Sequence, residues 1–277
     1  MNSMLSLQNM QIAFSDDGTG ITLVLAHCSC ANNKEWKFLH SALQNRYRML
    51  APDLLGYGKS SAWPLTGAVP SLTDVDVLEA MVNMSSVPVH LIGHSYGGAM
   101  CLEVARRDAQ QGRNKIRSMC LIEPVAFYLM NKQTQQQAWQ EISRHARRCI
   151  EACDKGNYVK AANIFMSYWI GMLKWRLASR HFRAEVIRTI HKVAHEFRGM
   201  FQFDGSPDDY RQIQCPVTLI YGKRSRRPAI AVVDALQDLL SQGEIHSIAS
   251  AGHMSPYTHP QEVARLIESH LNRVKYI

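Results

Sequence analysis

A serine set among glycines, Gly93-His94-Ser95-Tyr96-Gly97-Gly98, is the residue of this chain best placed to do chemistry. A neutral hydroxyl is a weak nucleophile. It attacks a carbonyl carbon only when a base within hydrogen-bond reach takes its proton and a third group orients that base. Of the 12 histidines, His253 in Ala251-Gly252-His253-Met254-Ser255-Pro256 alone follows the serine, lies beyond a late strand and sits in a glycine loop. His94 adjoins Ser95, but neighbouring side chains on a sharp turn diverge, so it reads as structural. His145, His181, His191 and His195 fall in a helical stretch, where surface or packing roles are the ordinary ones, and His259 opens the last helix. The chemistry implied is acyl transfer through an acyl-serine.

The flanking elements suit that role. Residues 87–92 form an apolar run fit for a buried parallel strand, and residues 99–106 hold apolar side chains at helical spacing, so Ser95 falls at the strand-to-helix junction. Glycines two before and two after let the chain pass close without Cβ clashes, and Gly98 lets the helix pack on the sheet. The first N–H groups of that helix then point at negative charge developing beside the serine.

The rest of the chain alternates strand and helix on either side of one long interruption. Residues 9–14 and 21–26 are apolar runs split by Asp16-Asp17-Gly18, which predicts a hairpin. A small, polar segment, His27-Cys28-Ser29-Cys30-Ala31-Asn32-Asn33, follows, and a helix pattern begins near Glu35-Trp36. Residues 47–53 read as a strand into a Pro-Asp turn. The loop Leu54-Leu55-Gly56-Tyr57-Gly58-Lys59-Ser60 lacks the spacing of a phosphate cradle. A helix over 72–84 leads to the serine, and a strand over 116–122 ends in Glu123-Pro124. Residues 125–211 then read as all helix, with Trp139, Phe165, Trp169, Trp175, Phe182, Phe197, Met200 and Phe201 at roughly helical spacing. Most of these pack the segment on the sheet, and a subset lines an apolar pocket. Strands at 215–222 and 244–249 and a helix over 260–273 close the chain.

His27-Cys28-Ser29, Pro52-Asp53-Leu54-Leu55-Gly56-Tyr57-Gly58-Lys59-Ser60, the glycine-bracketed serine and Gly252-His253-Met254-Ser255-Pro256 follow one another in the order seen in α/β-hydrolases. The chain resembles that superfamily throughout, most of all its capped serine esterases and lipases. The resemblance implies an α/β fold with an eight-stranded, mostly parallel sheet flanked by helices. Its core would be residues 1–124 and 212–277, and a helical cap would be inserted at 125–211. It also implies a Ser-His-acid triad and an oxyanion hole made by the backbone N–H groups of Ser29 and Tyr96, with His27 bracing the loop that carries Ser29.

One position departs from the family pattern. An aspartate is expected three residues after Gly222, yet the sequence reads Lys223-Arg224-Ser225-Arg226-Arg227, with Ser225 in the acid's place. Active-site groups gather at the carboxyl ends of parallel strands. Asp204, Asp208 and Asp209 precede their strand, and Asp234 and Asp238 fall inside a helix. Glu123 and Asp53 remain at proper strand ends. Glu123 is the preferred acid, with Asp53 or a Ser95–His253 dyad as alternatives.

Composition bounds the partners. With 277 residues, 46% hydrophobic and 19% charged, the chain can bury a full core as one domain with an insertion. The formal charge of +8 comes from residues 125–203, where 13 Lys and Arg face 5 Asp and Glu. A solvated helical face is the simpler account, and attraction of an anionic substrate to a nearby mouth the sharper one. No nucleic-acid motif accompanies the charge. No signal-peptide pattern stands at Met1-Asn2-Ser3-Met4-Leu5, and no apolar run reaches the ~18 residues of a membrane span. Seven cysteines lack a C-x-x-C pair or a complete metal-binding set and read as free thiols. The expectation is a cytoplasmic serine hydrolase of an ester, thioester or lactone, acting on a small acyl substrate without metal or organic cofactor. Hydrolysis of a carbon–carbon bond, or ligand binding with weak turnover, are the rival readings.

Overall fold

A computed structural model describes residues 2–65, 73–202 and 206–276. The expected helix start at Leu72 and the set-aside Asp204 lie outside them. Eight strands form one sheet: β1 (Asn2–Leu7), β2 (Met10–Gly18), β3 (Ile21–Ala26), β4 (Tyr47–Pro52), β5 (Val89–His94), β6 (Ile116–Ile122), β7 (Val217–Gly222) and β8 (Gly243–Ile248), in the order β1-β2-β4-β3-β5-β6-β7-β8. Only β1–β2 and β2–β4 pair antiparallel; β4, β3, β5, β6, β7 and β8 run parallel. The eight-stranded, mostly parallel sheet expected from the resemblance is present.

The expected hairpin between residues 9–14 and 21–26 does not form. β2 continues through Asp16-Asp17-Gly18 and pairs with β4, while β3 sits between β4 and β5. Asp16 is held in the sheet by Arg48 of β4, whose Nε and Nη2 donate to its carboxylate at 2.8 and 2.6 Å. The hairpin that does form is β1–β2, turning at Gln8-Asn9, both at positive φ.

Helices cover both faces: α1 (His40–Leu43), α2 (Asp74–Asn83), α3 (Tyr96–Gln110), α9 (Arg227–Leu239), α10 (Ser255–Thr258) and α11 (Pro260–Arg273). Between β6 and β7 run α4 (Gln136–Asp154), α5 (Tyr158–Trp169), α6 (Met172–Leu177), α7 (Arg180–Gln202) and α8 (Pro207–Tyr210), the helical interruption read from the sequence. Because the parallel strands are covered on both sides, their apolar residues divide by parity. Val24, Leu91, Met119 and Leu121 face the layer holding α2, α3 and the inserted helices. Leu23, Leu25, Ile92, Cys120 and Ile122 pack with Trp36, Leu39 and Val263, Ile267 and Leu271 of α11.

Helix and sheet approach closely at the start of α3. A Cβ on Gly97 would lie 2.3 Å from the Ala26 carbonyl oxygen at the end of β3, so helix and strand approach at backbone distance. Gly97→Ala is expected to destabilise the fold by roughly 2 kcal/mol or more, the cost of overpacking against backbone that has no rotamer to change. Gly199, inside α7 with nothing within 4 Å of its would-be Cβ, is the control: Gly199→Ala should gain about 0.5–1 kcal/mol. Urea midpoints of the two variants check both signs.

Candidate active site

Ser95 joins β5 to α3 with φ 55° and ψ −119°, a backbone that side chains other than hydrogen rarely adopt. Such a conformation costs about 1–3 kcal/mol and persists only where the surroundings fix it. The Ser95 N–H donates to the Ile122 carbonyl of β6 at 2.9 Å, and its own carbonyl accepts from Ala99 and Val125. The turn therefore holds the hydroxyl above the sheet edge, at the first N–H of α3, which as a first-turn donor has no intrahelical acceptor.

The structure brings Ser95, His253 and Glu123 together. His253 Nε2 lies 2.9 Å from Ser95 Oγ, and His253 Nδ1 lies 2.7 Å from Glu123 Oε2. A carboxylate accepts, so Nδ1 carries the ring proton and the Nε2 lone pair faces the serine hydroxyl. All three are buried. Burial holds the His253 pKa below its ordinary 6.5, with the Glu123 carboxylate opposing but not reversing the shift. Burial pushes the Glu123 carboxyl up. The His253 ring, the Gly222 N–H and the Ser225 hydroxyl outweigh it and hold the pKa below 4.5. The base is thus neutral and its partner ionised at pH 7, as proton abstraction from a hydroxyl needs.

Ser225, standing where the family pattern places an acid, hydrogen-bonds to Glu123 instead. Its Oγ donates to Glu123 Oε1 at 2.5 Å, alongside the Gly222 N–H at 2.7 Å. Glu123 itself has φ 43°, so a second strained residue stands at the neighbouring strand end. Asp53 is elsewhere. Its two oxygens accept from the N–H groups of Asn33 and Lys59, each at 2.8 Å, and a Cβ on Gly58 would fall 2.1 Å from Oδ2. Asp53 ties two loops together and is not the partner of His253.

Ser29 lies in the turn after β3 and lines the same cavity as Ser95. His27 does brace that loop: its Nδ1–H donates to the Cys28 carbonyl at 2.7 Å, and its Nε2 accepts from Leu54 N–H at 2.9 Å. His94 is structural as expected, with a partner the sequence did not disclose. Its Nδ1 meets Glu35 Oε1 at 2.5 Å and its Nε2 the carbonyl of His253 at 2.9 Å, so a buried ion pair supports the backbone of the base. Burial disfavours charge on His94, but the Glu35 carboxylate outweighs it and raises the ring's pKa. Ligand atoms of Cys28, Glu35 and His94 lie within 4.8 Å of one another. The Glu35 oxygens are already occupied by His94 and the Cys28 N–H, and burial drives the Cys28 thiol well above its ordinary pKa, so the trio reads as an ion pair rather than a metal site.

The cavity over Ser95 measures about 680 Å³ and is lined by Phe165, Met166, Trp169, Ile170 and Phe182 of the inserted helices, with Met254 and Tyr257 opposite. Of the large apolar residues spaced along the insertion, Phe165, Trp169 and Phe182 face this space, whereas Trp175, Phe197 and Met200 are buried in packing. Trp169 was visible in the sequence only as one of a helical series. In the structure its ring stacks on His253 with centroids 4.1 Å apart. A second cavity, of about 440 Å³, shares Trp169 and His253 and is lined by Arg224, Arg226 and Arg227. Most basic residues of the insertion are exposed, as a solvated face requires, but Lys192 is only 2% exposed. Asp53→Asn is expected to cost about 1–3 kcal/mol, because one amide face must turn an N–H toward a buried N–H. It should leave turnover per folded molecule unchanged, read by thermal melts beside active-site titration.

Comparisons with known proteins bear on the family and the fold. Residues 23–266 match the model of the alpha/beta hydrolase family. A soluble epoxide hydrolase of Corynebacterium sp. (strain C12) is 34% identical over 88 residues, covering 32% of this chain and 30% of that protein. The dihydrolipoyllysine-residue acetyltransferase component of the acetoin cleaving system of Pseudomonas putida is 37% identical over 86 residues, covering 31% and 23%. The chain thus spans less than a third of the length of these curated relatives. A putative carbamate hydrolase, RutD, of Agrobacterium fabrum is 26% identical over 172 residues, covering 58% and 59%. Among solved structures, an esterase from Exiguobacterium antarcticum superposes with a TM-score of 0.76 at 17% identity over 98% of this chain and 100% of that one. A thermophilic esterase from Thermogutta terrifontis gives 0.74 at 21% identity over 99% of each. These structures share the fold. With the family match spanning most of its length, and with a strained serine, a histidine and a carboxylate at three strand ends, the chain belongs to the alpha/beta hydrolase family.

Proposed function

We propose that the protein is a serine hydrolase that cleaves a carboxylic ester, thioester or lactone through an acyl-enzyme. The observation that carries this reading is the unbroken hydrogen-bonded line from Ser95 through His253 to Glu123. His253 takes the Ser95 proton as Oγ attacks the acyl carbon, then returns it to the leaving oxygen or sulfur. Water repeats the sequence in reverse to release the acid. The N–H groups of Ser29 and Tyr96 receive the charge on the tetrahedral oxygen. Glu123 keeps His253 in the accepting tautomer and stabilises the imidazolium.

The apolar walls supplied by residues 125–211, read here as a cap, favour an acyl group with hydrocarbon character. Lys34 and Lys174 stand in the cavity lining beside Glu35 and Glu185, so the lining itself gives no preference for an anionic substrate. An epoxide reading is less favoured, because the nucleophile here is a hydroxyl that needs a base rather than a carboxylate. Seven free thiols support a reducing compartment such as the cytoplasm. Among the described residues no helix is long and apolar enough to cross a membrane.

Ser95→Ala should abolish labelling by a fluorophosphonate probe and release of p-nitrophenol from short esters, with the fold intact. Retained turnover would remove the acyl-serine from the mechanism. Glu123→Gln keeps shape but loses charge, and its turnover should fall about 10²–10⁴-fold with KM little moved. Only the neutral ring accepts a proton, and burial holds the His253 pKa below 6.5, so the acid limb of kcat/KM should have its midpoint below pH 6.5. Glu123→Gln removes the group that raises this pKa, so its acid limb should move lower still. An acid limb at or above pH 7 in the parent would contradict a neutral, buried base.

A further inference from the structure

The inserted helix α7 carries two buried charged residues one turn apart, Lys192 and Glu196, that the mechanism above does not use. Lys192 Nζ donates to Asp74 Oδ2 at 2.7 Å, lies 3.3 Å from Glu196 Oε1 and reaches the Tyr96 hydroxyl at 3.4 Å. The Tyr96 hydroxyl donates to the same Asp74 oxygen at 2.8 Å. Glu196 accepts from the Tyr57 hydroxyl through Oε1 and from the Ser29 hydroxyl through Oε2, both at 2.6 Å. Asp74 Oδ1 in turn accepts the N–H of Leu55 at 2.8 Å. The ammonium is further enclosed by the rings of Trp63 at 4.7 Å and Tyr96 at 4.9 Å.

The network ends on two residues in particular. Ser29 and Tyr96 are the residues whose backbone N–H groups the proposed mechanism assigns to the oxyanion, and both have their side chains tied to this one cluster. A buried ammonium with carboxylates on either side is a poor choice for stability alone, since apolar groups of the same volume would serve as well. It does fix directions. An oxyanion donor acts only when aimed at where charge will appear, and a displacement of about 1 Å at such a site can cost about a hundredfold in rate.

We propose that Lys192 and Glu196 are positioning residues for the oxyanion hole. Through the Ser29 and Tyr96 side chains, α7 sets the aim of the two backbone donors, so seating of the inserted helices and competence for catalysis are one condition. The kinetic consequence rests on the acyl-transfer reading; the placement of the loop does not.

A double-mutant cycle separates this from a merely structural role. Glu196→Ala should lower kcat for a p-nitrophenyl ester about 10–100-fold, with KM within about threefold, and Ser29→Ala about tenfold. The double variant should be no slower than Glu196→Ala alone, because the second change removes a hydroxyl that has already lost its acceptor. Glu196→Gln, which keeps one acceptor oxygen, should recover part of the rate. Amide hydrogen exchange over residues 28–31 should quicken in both single variants. Additive losses in kcat, or a lowered Tm with kcat and exchange unchanged, would overturn the proposal. If Glu196→Ala fails to fold, Ser29→Ala decides alone: unchanged kcat and exchange there overturn it. If the parent protein neither labels with fluorophosphonate nor hydrolyses the ester, the acyl-transfer reading falls, and the exchange measurement still decides whether α7 holds the loop.

Discussion

The site depends on one close approach, that of the α3 backbone to the end of β3. Gly97 lies where any side chain would meet the Ala26 and His27 carbonyls, and Gly93 and Gly98 are likewise in backbone contact. With helix and strand this near, the single residue between β5 and α3 has no room for an ordinary turn, and Ser95 is forced to positive φ. The strain is balanced by bonds to β6 and by burial in the sheet's main apolar layer. A hydroxyl on a relaxed loop would have none of this direction.

The carboxylate shows how a parallel sheet allows one function to move between strands. β6 and β7 are adjacent and in register, with Ile122 beside Ile220, and the Glu123 N–H donates to the Ile220 carbonyl at 2.9 Å. Neighbouring strands lie about 4.8 Å apart, within the length of a glutamate side chain. An acid leaving the end of β6 can therefore reach the point served in the family pattern by the loop after β7. That loop still takes part: Ser225 and the Gly222 N–H donate to Glu123, replacing solvation that burial removed.

The inserted helices do more than roof the cavity. Trp169 stacks on the His253 imidazole while His94, paired with Glu35, holds the His253 carbonyl, so His253 is confined through both ring and backbone. An imidazolium formed beneath an indole face gains a cation–π contact of about 0.5–2 kcal/mol that the neutral ring lacks. On the opposite flank, Lys192 and Glu196 connect α7 to Ser29, Tyr57, Asp74 and Tyr96, so an element far along the chain takes part in the geometry beside Ser95.

The amino-acid sequence alone marked the strand and helix order from residue 21 onward, the serine junction and the candidate base, because each is written in local pattern: a glycine bracket, an apolar run, a histidine in a glycine loop after a late strand. It missed β1 and placed the first hairpin one strand too late, since Asp-Asp-Gly signals a turn unless a distant partner such as Arg48 holds it in a sheet. For the acid, local pattern narrowed the choice to Glu123 and Asp53 at equivalent strand ends. Tertiary structure separated them: one carboxylate lies 2.7 Å from His253, the other caps two loops. The partners of His94, the stacking of Trp169 and the burial of Lys192 were likewise beyond reading from the chain. Contacts between residues a hundred positions apart are set by how layers pack, and packing leaves no periodicity in either segment.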